Sequence, residues 1–362
     1  MTDLEKARQT INEVDTKMRE LFLERMRASQ VVAEYKRLHG IQVFDAQREA
    51  EVISRNTNAF SDEEIKSYYV DFVVHNMEIS KRYQHRLLEG MKVAFSGVEG
   101  AFANIAANKV FPDAEAVPYP DFKSAYNSVV DGECDCVILP IENSFNGDVG
   151  QVMDLAFFGS LYINGVYDIS VIQNLLANKG ADIATIKEVI SHPQALGQCN
   201  EYIKKHGFKS IEAVNTAVAA KLVAESGRLD IAAIASEEAA EKHGLVKLES
   251  HINQSNNNTT RFAVFSRTAK APSVADNHFI LLFTVTNEAG SLGKAISIIG
   301  ENGFNLKALK SRPTKELIWS YYFFVEGEGN INSDKGKKMI SELKEKCSDL
   351  RIIGNFEKEV IL

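Results

Sequence analysis

The stretch LEKARQTINEVDTKMRELFLERMRASQVVAEY, residues 4–35, decides the architecture of the first part of the chain. Its apolar residues recur at heptad spacing, at Leu4, Ala7, Ile11, Val14, Met18, Leu21, Ala28, Val32 and Tyr35. This spacing predicts one helix of about 36 residues, far longer than the average of about 11 or 12. A three-helix segment of about 90 residues cannot cover a stripe of that length. The helix is therefore expected to pack against a second copy of itself.

The rest of this segment, up to about residue 90, shows no convincing strand. The sequence SDEEI at 61–65 has the pattern of a capping box, with Ser61 as N-cap and Glu64 three residues later. A last helix is expected from there to about Leu88. Residues 1–90 are thus predicted to form an all-α, three-helix domain.

The composition of the 362-residue chain indicates a globular protein with more than one domain. A net charge of −8 argues against a nucleic-acid partner. The charged N-terminus is unlike a signal peptide, and no apolar run reaches the roughly 20 residues that span a bilayer, so no membrane partner is expected. Four cysteines indicate a reducing cytoplasm, and the pair Cys134 and Cys136 is expected to enter a buried strand rather than to bind a metal.

From Met91 the pattern changes to short apolar strands that alternate with helical stretches. KVAFS, CDCVILPI, EVISH and IAAIAS are typical of buried strands, and TAVAAKLVAES is typical of a helix. This alternation predicts an α/β domain with parallel strands over residues 91–268. After the linker-like RTAKAPSVADN, residues 276–362 show the β-α-β-β-α-β order of the α+β ferredoxin-like pattern.

Charged residues interrupt the apolar seam of the first helix. Arg25 follows Met18 and Leu21 on this seam, and a cation that faces a core is costly unless it is paired. At about 100° per residue Lys36 shares the azimuth of Arg25, whereas Arg8 lies about 100° off that line. More polar residues follow on the next two helices, at Asp45, Arg48, Glu49, Ser80 and Gln84. Taken alone, such charges are more often solvated helix residues with a few ion pairs.

The pattern over residues 3–88 resembles the all-helical chorismate mutase family, whose members are intertwined dimers of three-helix chains. The resemblance implies that cations bind the carboxylates and ether oxygen of chorismate, that acids hold its hydroxyl and enolpyruvyl groups, and that Arg8 reaches into the partner chain's site. The implied cations are Arg25, Lys36 and Arg48, and the implied acids are Asp45 and Glu49. Ser80 and Gln84 are implied to complete the pocket. The Claisen rearrangement of such enzymes needs a compact substrate conformer and donors at the breaking ether oxygen, and no acid, base or cofactor.

Polar runs also follow the predicted strands of the middle segment. They are PIENS at 140–144, SHPQALGQC at 191–199, NTAVAA at 215–220 and SNNNTTRFAVF at 255–265. Ligands of α/β domains collect beyond the carboxyl ends of the strands, where helix N-termini bind anions. Three consecutive asparagines are not expected to pack a core, so the last run also points to a site.

These runs resemble the prephenate dehydratase family over residues 92–266, on the motifs IENS, SHPQAL and T-R-F in that order. The resemblance implies a two-lobed domain that removes the ring hydroxyl and CO2 of prephenate together, giving phenylpyruvate. Thr260 is implied to donate, or to position, the proton that the departing hydroxyl needs. The implied substrate-binding residues are Glu142, Asn143, Ser144, Ser191, His192, Gln194, Gln198, Thr216, Arg261 and Phe262. Of these, His192 is expected to be a structural donor rather than a general base.

Three positions depart from the family pattern. Ala101 and Ala103 replace two hydroxyl residues of the glycine loop, whose roles are either helix capping or binding of a carboxylate. Asp148 replaces a small polar residue and adds negative charge near an anionic substrate. Since Thr260 is kept, dehydratase activity is still expected.

Residues 276–362 resemble the ACT domain, which binds amino acids at dimer interfaces. The matching motifs are Gly290, Ser291 and Leu292, and then Ser311, Arg312 and Pro313. The first motif precedes a helix whose N–H groups are expected to hold a carboxylate of L-phenylalanine, the expected effector. Lys310 replaces the glutamate of the second motif, so L-phenylalanine is expected to bind, but more weakly than with glutamate. A unit that only dimerises is the alternative.

Together the three resemblances predict a cytoplasmic homodimer or homotetramer, both an isomerase and a lyase of phenylalanine biosynthesis, that converts chorismate to prephenate and prephenate to phenylpyruvate. No metal or organic cofactor is expected. Two alternatives remain open. A mutase fused to prephenate dehydrogenase would need a Rossmann G-x-G-x-x-G, a spacing that GVEGAF at 97–102 lacks. An amino-acid or keto-acid sensor would combine an inactive dehydratase-like domain with an ACT domain.

Overall fold

The structure is a computed structural model, and it describes residues 1–58, 60–145, 147–254, 258–313 and 321–362. The chain divides into two compact units, Met1–Met91 and Lys92–Leu362.

The first unit is helical, as the heptad spacing predicts. Its helices are α1 (Asp3–His39), α2 (Ala46–Thr57) and α3 (Glu63–Glu89). Helix α1 has 37 residues and begins with a capping box between Thr2 and Glu5. At about 1.5 Å per residue it is about 55 Å long.

The N-cap of α3 is Asp62, and the prediction of Ser61 is wrong by one residue. The Asp62 carboxylate accepts hydrogen bonds from the backbone N–H groups of Glu64 and Ile65, at 2.9 and 3.1 Å. A carboxylate at this position also interacts favourably with the helix dipole. This favours Asp62 over the neighbouring serine.

The apolar seam of α1 is largely exposed in the single chain. Leu4, Ile11 and Leu21 are 60%, 58% and 64% exposed. By contrast, Ala33 is buried against the rest of the unit. The other two helices therefore leave most of the stripe uncovered.

The second unit begins with a lobe of strands and helices in which the predicted strand KVAFS is β1. Its elements are β1 (Lys92–Ser96), α4 (Phe102–Val110), β2 (Glu115–Tyr119), α5 (Phe122–Val130), β3 (Cys136–Asn143), β4 (Gly147–Asp148), α6 (Gly150–Phe158) and β5 (Tyr162–Ser170). Both Cys134 and Cys136 are buried, as predicted.

The chain then builds a second lobe and returns to the first. The second lobe contains β6 (Asn174–Ala177), a 3-10 turn (Ile183–Thr185), β7 (Glu188–Ser191), α7 (Pro193–Gln198), α8 (Asn200–His206), β8 (Lys209–Glu212), α9 (Thr216–Ser226), β9 (Ile231–Ala235), α10 (Glu237–His243) and β10 (Val246–Glu249). Strand β11 (Thr259–Ser266) brings the chain back between β3 and β5.

The sheets of both lobes are mixed, which corrects the prediction of parallel strands. The order is β5-β11-β3-β1-β2 in the first lobe and β10-β6-β9-β7-β8 in the second. Strand β1 is parallel to β2 and β3, and β7 is parallel to β8 and β9. Strand β11 runs antiparallel to β3 and β5, and β6 runs antiparallel to β9 and β10. The reversed strands are those at which the chain crosses between lobes, and short apolar runs do not reveal their direction.

The last part of the second unit has the predicted β-α-β-β-α-β order. Its elements are β12 (His278–Thr284), α11 (Ser291–Glu301), β13 (Asn305–Pro313), β14 (Tyr321–Glu328), α12 (Asp334–Lys346), β15 (Ser348–Phe356) and the short β16 (Val360–Ile361). Its antiparallel sheet has the order β13-β14-β12-β15, which is ferredoxin-like. Strand β15 pairs with β5 at Gly354 and Ile163, so this sheet joins that of the first lobe. We call residues 278–356 the C-terminal unit.

Among the helices that the structure describes, none is long and apolar enough to cross a membrane.

Candidate active sites

A cavity of about 530 Å³ lies between the two lobes of the second unit. Strands β3 and β11 supply Asn143, Thr260 and Phe262 from the first lobe. The second lobe supplies the predicted residues His192, Gln194, Gln198 and Thr216. The structure thus brings seven of the predicted dehydratase residues to one cavity, although the motifs that contain them are far apart in the sequence.

Thr260 and Asn143 form a hydrogen-bonded pair in this cavity. The side-chain amide of Asn143 donates to Thr260 Oγ1 at 2.9 Å and to Asn258 Oδ1 at 3.1 Å. Its oxygen accepts from the backbone N–H of Phe145 at 3.0 Å, which fixes the amide orientation. Because Thr260 Oγ1 accepts from Asn143, its own hydrogen is oriented for donation to another group. A hydroxyl in this state can donate toward an oxygen bound in the cavity.

The interior position of Asn258 contradicts the expectation that the asparagine run packs no core. Asn258 is 5% exposed. Its amide oxygen satisfies Asn143, which explains why a polar side chain is tolerated there. Asn256 and Asn257 lie outside the described residues.

Two helix N-termini border the cavity. Thr216 is the first residue of α9, whose N-cap Asn215 accepts from the N–H of Val218 at 2.7 Å. Ala101 is the N-cap of α4 and makes no side-chain capping hydrogen bond. The positive ends of both helices favour an anionic ligand, and the N–H groups of α4 are left available by the missing hydroxyl.

His192 has a capping role at the cavity wall. It is the N-cap of α7, and its Nδ1 accepts from the backbone N–H of Gln194 at 3.3 Å. The ring therefore acts here as an acceptor, whereas the sequence predicts a structural donor.

Four predicted substrate-binding residues do not line the cavity. Ser191 is fully buried and donates to the carbonyl of Ile234 at 2.6 Å, so it joins β7 to β9. Ser144 accepts from the backbone N–H of Thr259 at 3.0 Å. Glu142 and Arg261 face away from the cavity because side chains alternate along β3 and β11.

Arg261 lies in a network of carboxylates on the far side of the sheet. Its guanidinium is 3.0 Å from Glu142, 2.6 Å from Glu326 and 3.7 Å from Asp168, and it also contacts Glu359. Only 16% of the Arg261 side chain is exposed. The prediction that Arg261 binds a substrate carboxylate is not supported by this arrangement, because its donors already face carboxylates of the protein.

Gln173 is a cavity residue that the sequence motifs do not indicate. It is 2% exposed, and its Nε2 is 3.5 Å from Gln198 Oε1. Its own Oε1 is buried without a hydrogen-bond partner among the described residues. The polar pair Gln173 and Asn174 within the otherwise apolar stretch VIQNLLA was a signal for it, since a polar side chain among buried apolar residues needs a partner.

In the first unit, Arg25 is held at the junction of α1 and α3. Its Nη1 donates to the carbonyl of Asn76 at 3.2 Å and contacts Ser80 Oγ. Burial lowers the pKa of the Arg25 guanidinium from its usual value. Gln84 lies one turn beyond Ser80, and its Oε1 is buried without a partner among the described residues. The structure thus brings three predicted mutase residues together.

The other predicted mutase residues lie at the start of α2 and on α1. Lys36 donates to the carbonyl of Val43 at 2.5 Å. Asp45 is the N-cap of α2 and accepts from the N–H of Arg48 at 3.0 Å, while the Arg48 side chain pairs with Glu51 at 3.3 Å. Arg8 is exposed on α1.

Lys81 is a cation of this unit that the sequence does not single out. It pairs with Glu49 at 2.9 Å and with Glu78 at 2.6 Å, and it lies 5.2 Å from the centre of the Phe44 ring. Burial opposes its charge, but the two glutamates outweigh this and raise the pKa of Lys81.

The two predicted effector motifs lie in the C-terminal unit. Gly290 is the N-cap of α11, and Ser291 and Leu292 begin this helix, as predicted. Arg312 pairs with Asp154 of α6 through two hydrogen bonds of 2.7 and 3.0 Å, so its guanidinium is occupied within the chain. Ser311 lies between Lys310 and Arg312 on β13, and Pro313 ends the strand.

Comparisons with known proteins agree with this layout. A family model described as prephenate dehydratase matches residues 93–270, and one described as chorismate mutase type II matches residues 7–85. Arogenate dehydratase/prephenate dehydratase 2 of Arabidopsis thaliana is 33% identical, over 74% of this chain and 72% of that protein. A bifunctional chorismate mutase/prephenate dehydratase of Aquifex aeolicus is 28% identical, over 100% of this chain and 99% of that protein.

A solved structure extends the comparison to the fold. Prephenate dehydratase from Arthrobacter aurescens in complex with L-Phe is 25% identical, with a TM-score of 0.69. The match covers 74% of this chain and 90% of that one. The chain therefore belongs to the prephenate dehydratase family and, with its chorismate mutase type II segment, has the layout of the bifunctional chorismate mutase/prephenate dehydratases.

Proposed function

We infer that this chain catalyses two consecutive steps of phenylalanine biosynthesis. The first unit rearranges chorismate to prephenate, and the cavity of the second unit converts prephenate to phenylpyruvate, water and CO2. The observation that carries the second step is the Asn143–Thr260 pair inside a cavity bordered by two helix N-termini. Family membership favours these activities over the sensor alternative, and the chain lacks the glycine spacing of a dehydrogenase.

The dehydratase residues act on a dianion. The N-termini of α4 and α9 attract its carboxylates, and Thr216 and Gln198 offer hydrogen bonds to them. Thr260 donates toward the ring hydroxyl as it departs, and a proton relayed from solvent restores the threonine hydroxyl, so that the group leaves as water. Asn143 orients the threonine oxygen. Loss of CO2 is aided because the cavity replaces hydration of the carboxylate with fixed dipoles.

The mutase residues hold their substrate by charge. Arg25, Lys36 and Arg48 bind the chorismate carboxylates and ether oxygen, and Ser80 and Gln84 complete the pocket. Arg8 serves the site of a second chain, because the exposed seam of α1 is covered by another copy. The exposed Leu4, Ile11 and Leu21 support this dimer.

The C-terminal unit is an ACT domain that binds L-phenylalanine at the start of α11. Its ferredoxin-like sheet order and the L-Phe complex of the relative support this assignment. Free cysteines at Cys134, Cys136, Cys199 and Cys347 support a reducing, cytoplasmic setting.

The test is to supply the purified chain with chorismate and, separately, with prephenate or arogenate, and to measure substrate loss together with the product, which is a keto acid from prephenate and an amino acid from arogenate. We expect chorismate to give phenylpyruvate through prephenate. Turnover of arogenate in preference to prephenate would assign the second site to the amino-acid substrate. No turnover of either, with chorismate still consumed, would refute the dehydratase assignment.

A further inference from the structure

Strand β13 of the C-terminal unit contacts the first lobe through two cations. Lys310 Nζ lies 2.5 Å from Asp148 Oδ1 and 3.1 Å from Glu142 Oε2. Arg312 pairs with Asp154, six residues beyond Asp148. Residues two apart on a strand share a face, so β13 directs both cations at the segment that runs from the end of β3 to α6.

Lys310 resolves a charge conflict in this segment. Glu142 and Asp148 are direct partners across the β3–β4 pair, and like charges in this position repel each other. The ammonium group of Lys310 bonds to both carboxylates, and its side chain is only 13% exposed. Asp148 and Lys310, two charged departures from the family pattern, are thus partners in one ion pair.

The bridged carboxylates are adjacent to cavity residues. Glu142 precedes Asn143, which donates to Thr260 Oγ1. Asp148 precedes Val149, which also lines the cavity. A change in the pairing of β3 with β4 therefore changes where the Asn143 amide and the Val149 side chain lie.

Glu142 is also held from its other side. It contacts Arg261, and Arg261 contacts Glu326, a fully buried carboxylate of β14. Burial raises the pKa of Glu142, but Arg261 and Lys310 outweigh this effect and hold it below its ordinary value. The carboxylate is thus charged at neutral pH and is attached to the C-terminal unit by two different cations.

We propose that Lys310 is a positioning residue for the dehydratase site, which it reaches through Glu142 and Asp148 and thereby fixes Asn143 against Thr260. The proposal rests on the dehydratase activity inferred above. It makes the C-terminal unit part of the catalytic architecture even when no effector is bound. Lys310 touches no substrate, so its effect is expected in kcat more than in KM.

The test compares Lys310→Met with Lys310→Arg, which keeps the charge. Lys310→Met is expected to lower kcat for prephenate about 10-fold, a barrier change of about 1.4 kcal/mol, with KM changed less than threefold. Lys310→Arg is expected to stay within about threefold of the unmodified chain. Turnover of chorismate in the first unit is expected to be unchanged and normalises the amount of active chain, while the thermal unfolding of the second unit reports whether the variant is folded.

Two further arms separate positioning from general stability. Lys338→Met removes a lysine whose ion pair with Glu342 lies within α12, and it is the matched control with unchanged kcat. The exchanged pair Asp148→Lys with Lys310→Glu restores opposite charges and is expected to recover kcat that Lys310→Glu alone loses. No recovery would argue against the ion pair as the cause.

A readout without turnover keeps the positioning claim separate from the proposed function. Amide hydrogen exchange of residues 141–145 and 147–153 is expected to be faster in Lys310→Met than in Lys338→Met, whether or not prephenate is the substrate. Unchanged exchange of this segment in Lys310→Met would overturn the proposal. An unchanged kcat of Lys310→Met on prephenate, with a parent protein that is active on prephenate, would also overturn it. A parent protein inactive on prephenate would instead refute the dehydratase activity.

Discussion

Thr260 and Arg261 are consecutive residues of β11, and their side chains lie on opposite faces of the sheet. Thr260 faces the cavity and accepts a hydrogen bond from Asn143, whereas Arg261 faces the C-terminal unit and contacts Glu326. The same alternation holds on β3, where Asn143 faces the cavity and Glu142 faces Arg261. Two neighbouring strands thus carry the proposed chemistry on one face and the link to the C-terminal unit on the other.

Thr260→Val is expected to abolish the dehydration of prephenate, with a fall in kcat of at least about 100-fold, because the shape is kept and the donor is lost. Rates on prephenate and on chorismate are measured with the same preparation. Thr259→Val, one residue earlier in β11 and not in the cavity, is the control. Wild-type turnover of prephenate by Thr260→Val would show that another group supplies the proton.

Arg25→Ala is expected to lower mutase turnover by about 100-fold or more, since its guanidinium is the half-buried cation that contacts Ser80. Dehydratase activity on supplied prephenate is expected to persist, because that cavity is lined by residues of the second unit. Arg55→Ala removes an exposed arginine of α2 and is the matched control. Equal loss of both activities with an intact fold would contradict independent sites.

Much of the fold follows from local patterns, and much of the dehydratase cavity follows from short motifs. The heptad spacing predicts α1 to within about a residue or two, and strand and helix order predict the C-terminal unit. The direction of a strand is not predicted, since an apolar run such as FAVF is compatible with both parallel and antiparallel pairing. Side-chain alternation along β11 predicts that Thr260 and Arg261 lie on opposite faces of the sheet. The T-R-F motif, taken as a whole, assigns both residues to the same site.

Contacts between residues that are far apart in the sequence cannot be predicted from local patterns. Asp148 and Lys310 look like two unrelated substitutions in the sequence, and only the fold shows them 2.5 Å apart. Gln173 similarly enters the cavity because it lies in the connection between β5 and β6, where the chain crosses between the lobes. The partner of a buried charge is set by tertiary packing, which no window of sequence contains.

Ala101→Ser is expected to stabilise the second unit by about 1 kcal/mol, because a hydroxyl at the N-cap accepts a hydrogen bond from the first turn of α4. Ala101 already has the extended backbone of an N-cap, with φ −73° and ψ 157°. Urea unfolding of the two variants Ala101→Ser and Ala103→Ser measures the effect, and the second, inside the helix, is the control. Equal changes in both would exclude capping as the cause.

Two carboxyls of the Arg261 network are expected to have opposite effects on stability at neutral pH. Burial raises the pKa of Asp168 above its ordinary value of 3.8, despite the attraction of Arg261 and Lys307. Its ionisation therefore costs folding free energy above that pKa, and Asp168→Asn is expected to raise the melting temperature at pH 7. The advantage disappears as the pH falls below the ordinary value, where the carboxyl is protonated in both states.

Ionisation of Glu142 has the opposite effect on stability. Burial raises the pKa of Glu142, but Arg261 and Lys310 outweigh burial and lower this pKa below 4.5. Its ionised form stabilises the fold above the ordinary value, and this contribution is lost as the pH falls through the lowered pKa. Glu142→Gln is therefore expected to melt at a lower temperature than the parent protein at pH 7. Melting curves of both variants between pH 3 and pH 7 test the pair, and the same sign for both at pH 7 would contradict the assignment.

L-phenylalanine is expected to bind the parent protein and to inhibit its dehydratase step. The ammonium group of Lys310 is already paired with Glu142 and Asp148, so it repels the ligand's ammonium less than an unpaired lysine does. Lys310→Met is therefore expected to change the Kd for L-phenylalanine less than about threefold.

The same variant loses the contact between β13 and β4. Through this contact, binding of the effector to the C-terminal unit is expected to change the position of Asn143. Inhibition is a coupling between two sites, and it weakens when an element biased by both is disconnected. We expect calorimetric titration to show retained binding and prephenate turnover to show weaker inhibition in Lys310→Met, with Lys338→Met unchanged in both. Absence of heat with the parent protein would leave the C-terminal unit as a dimerisation module, and full inhibition of Lys310→Met would place the coupling elsewhere.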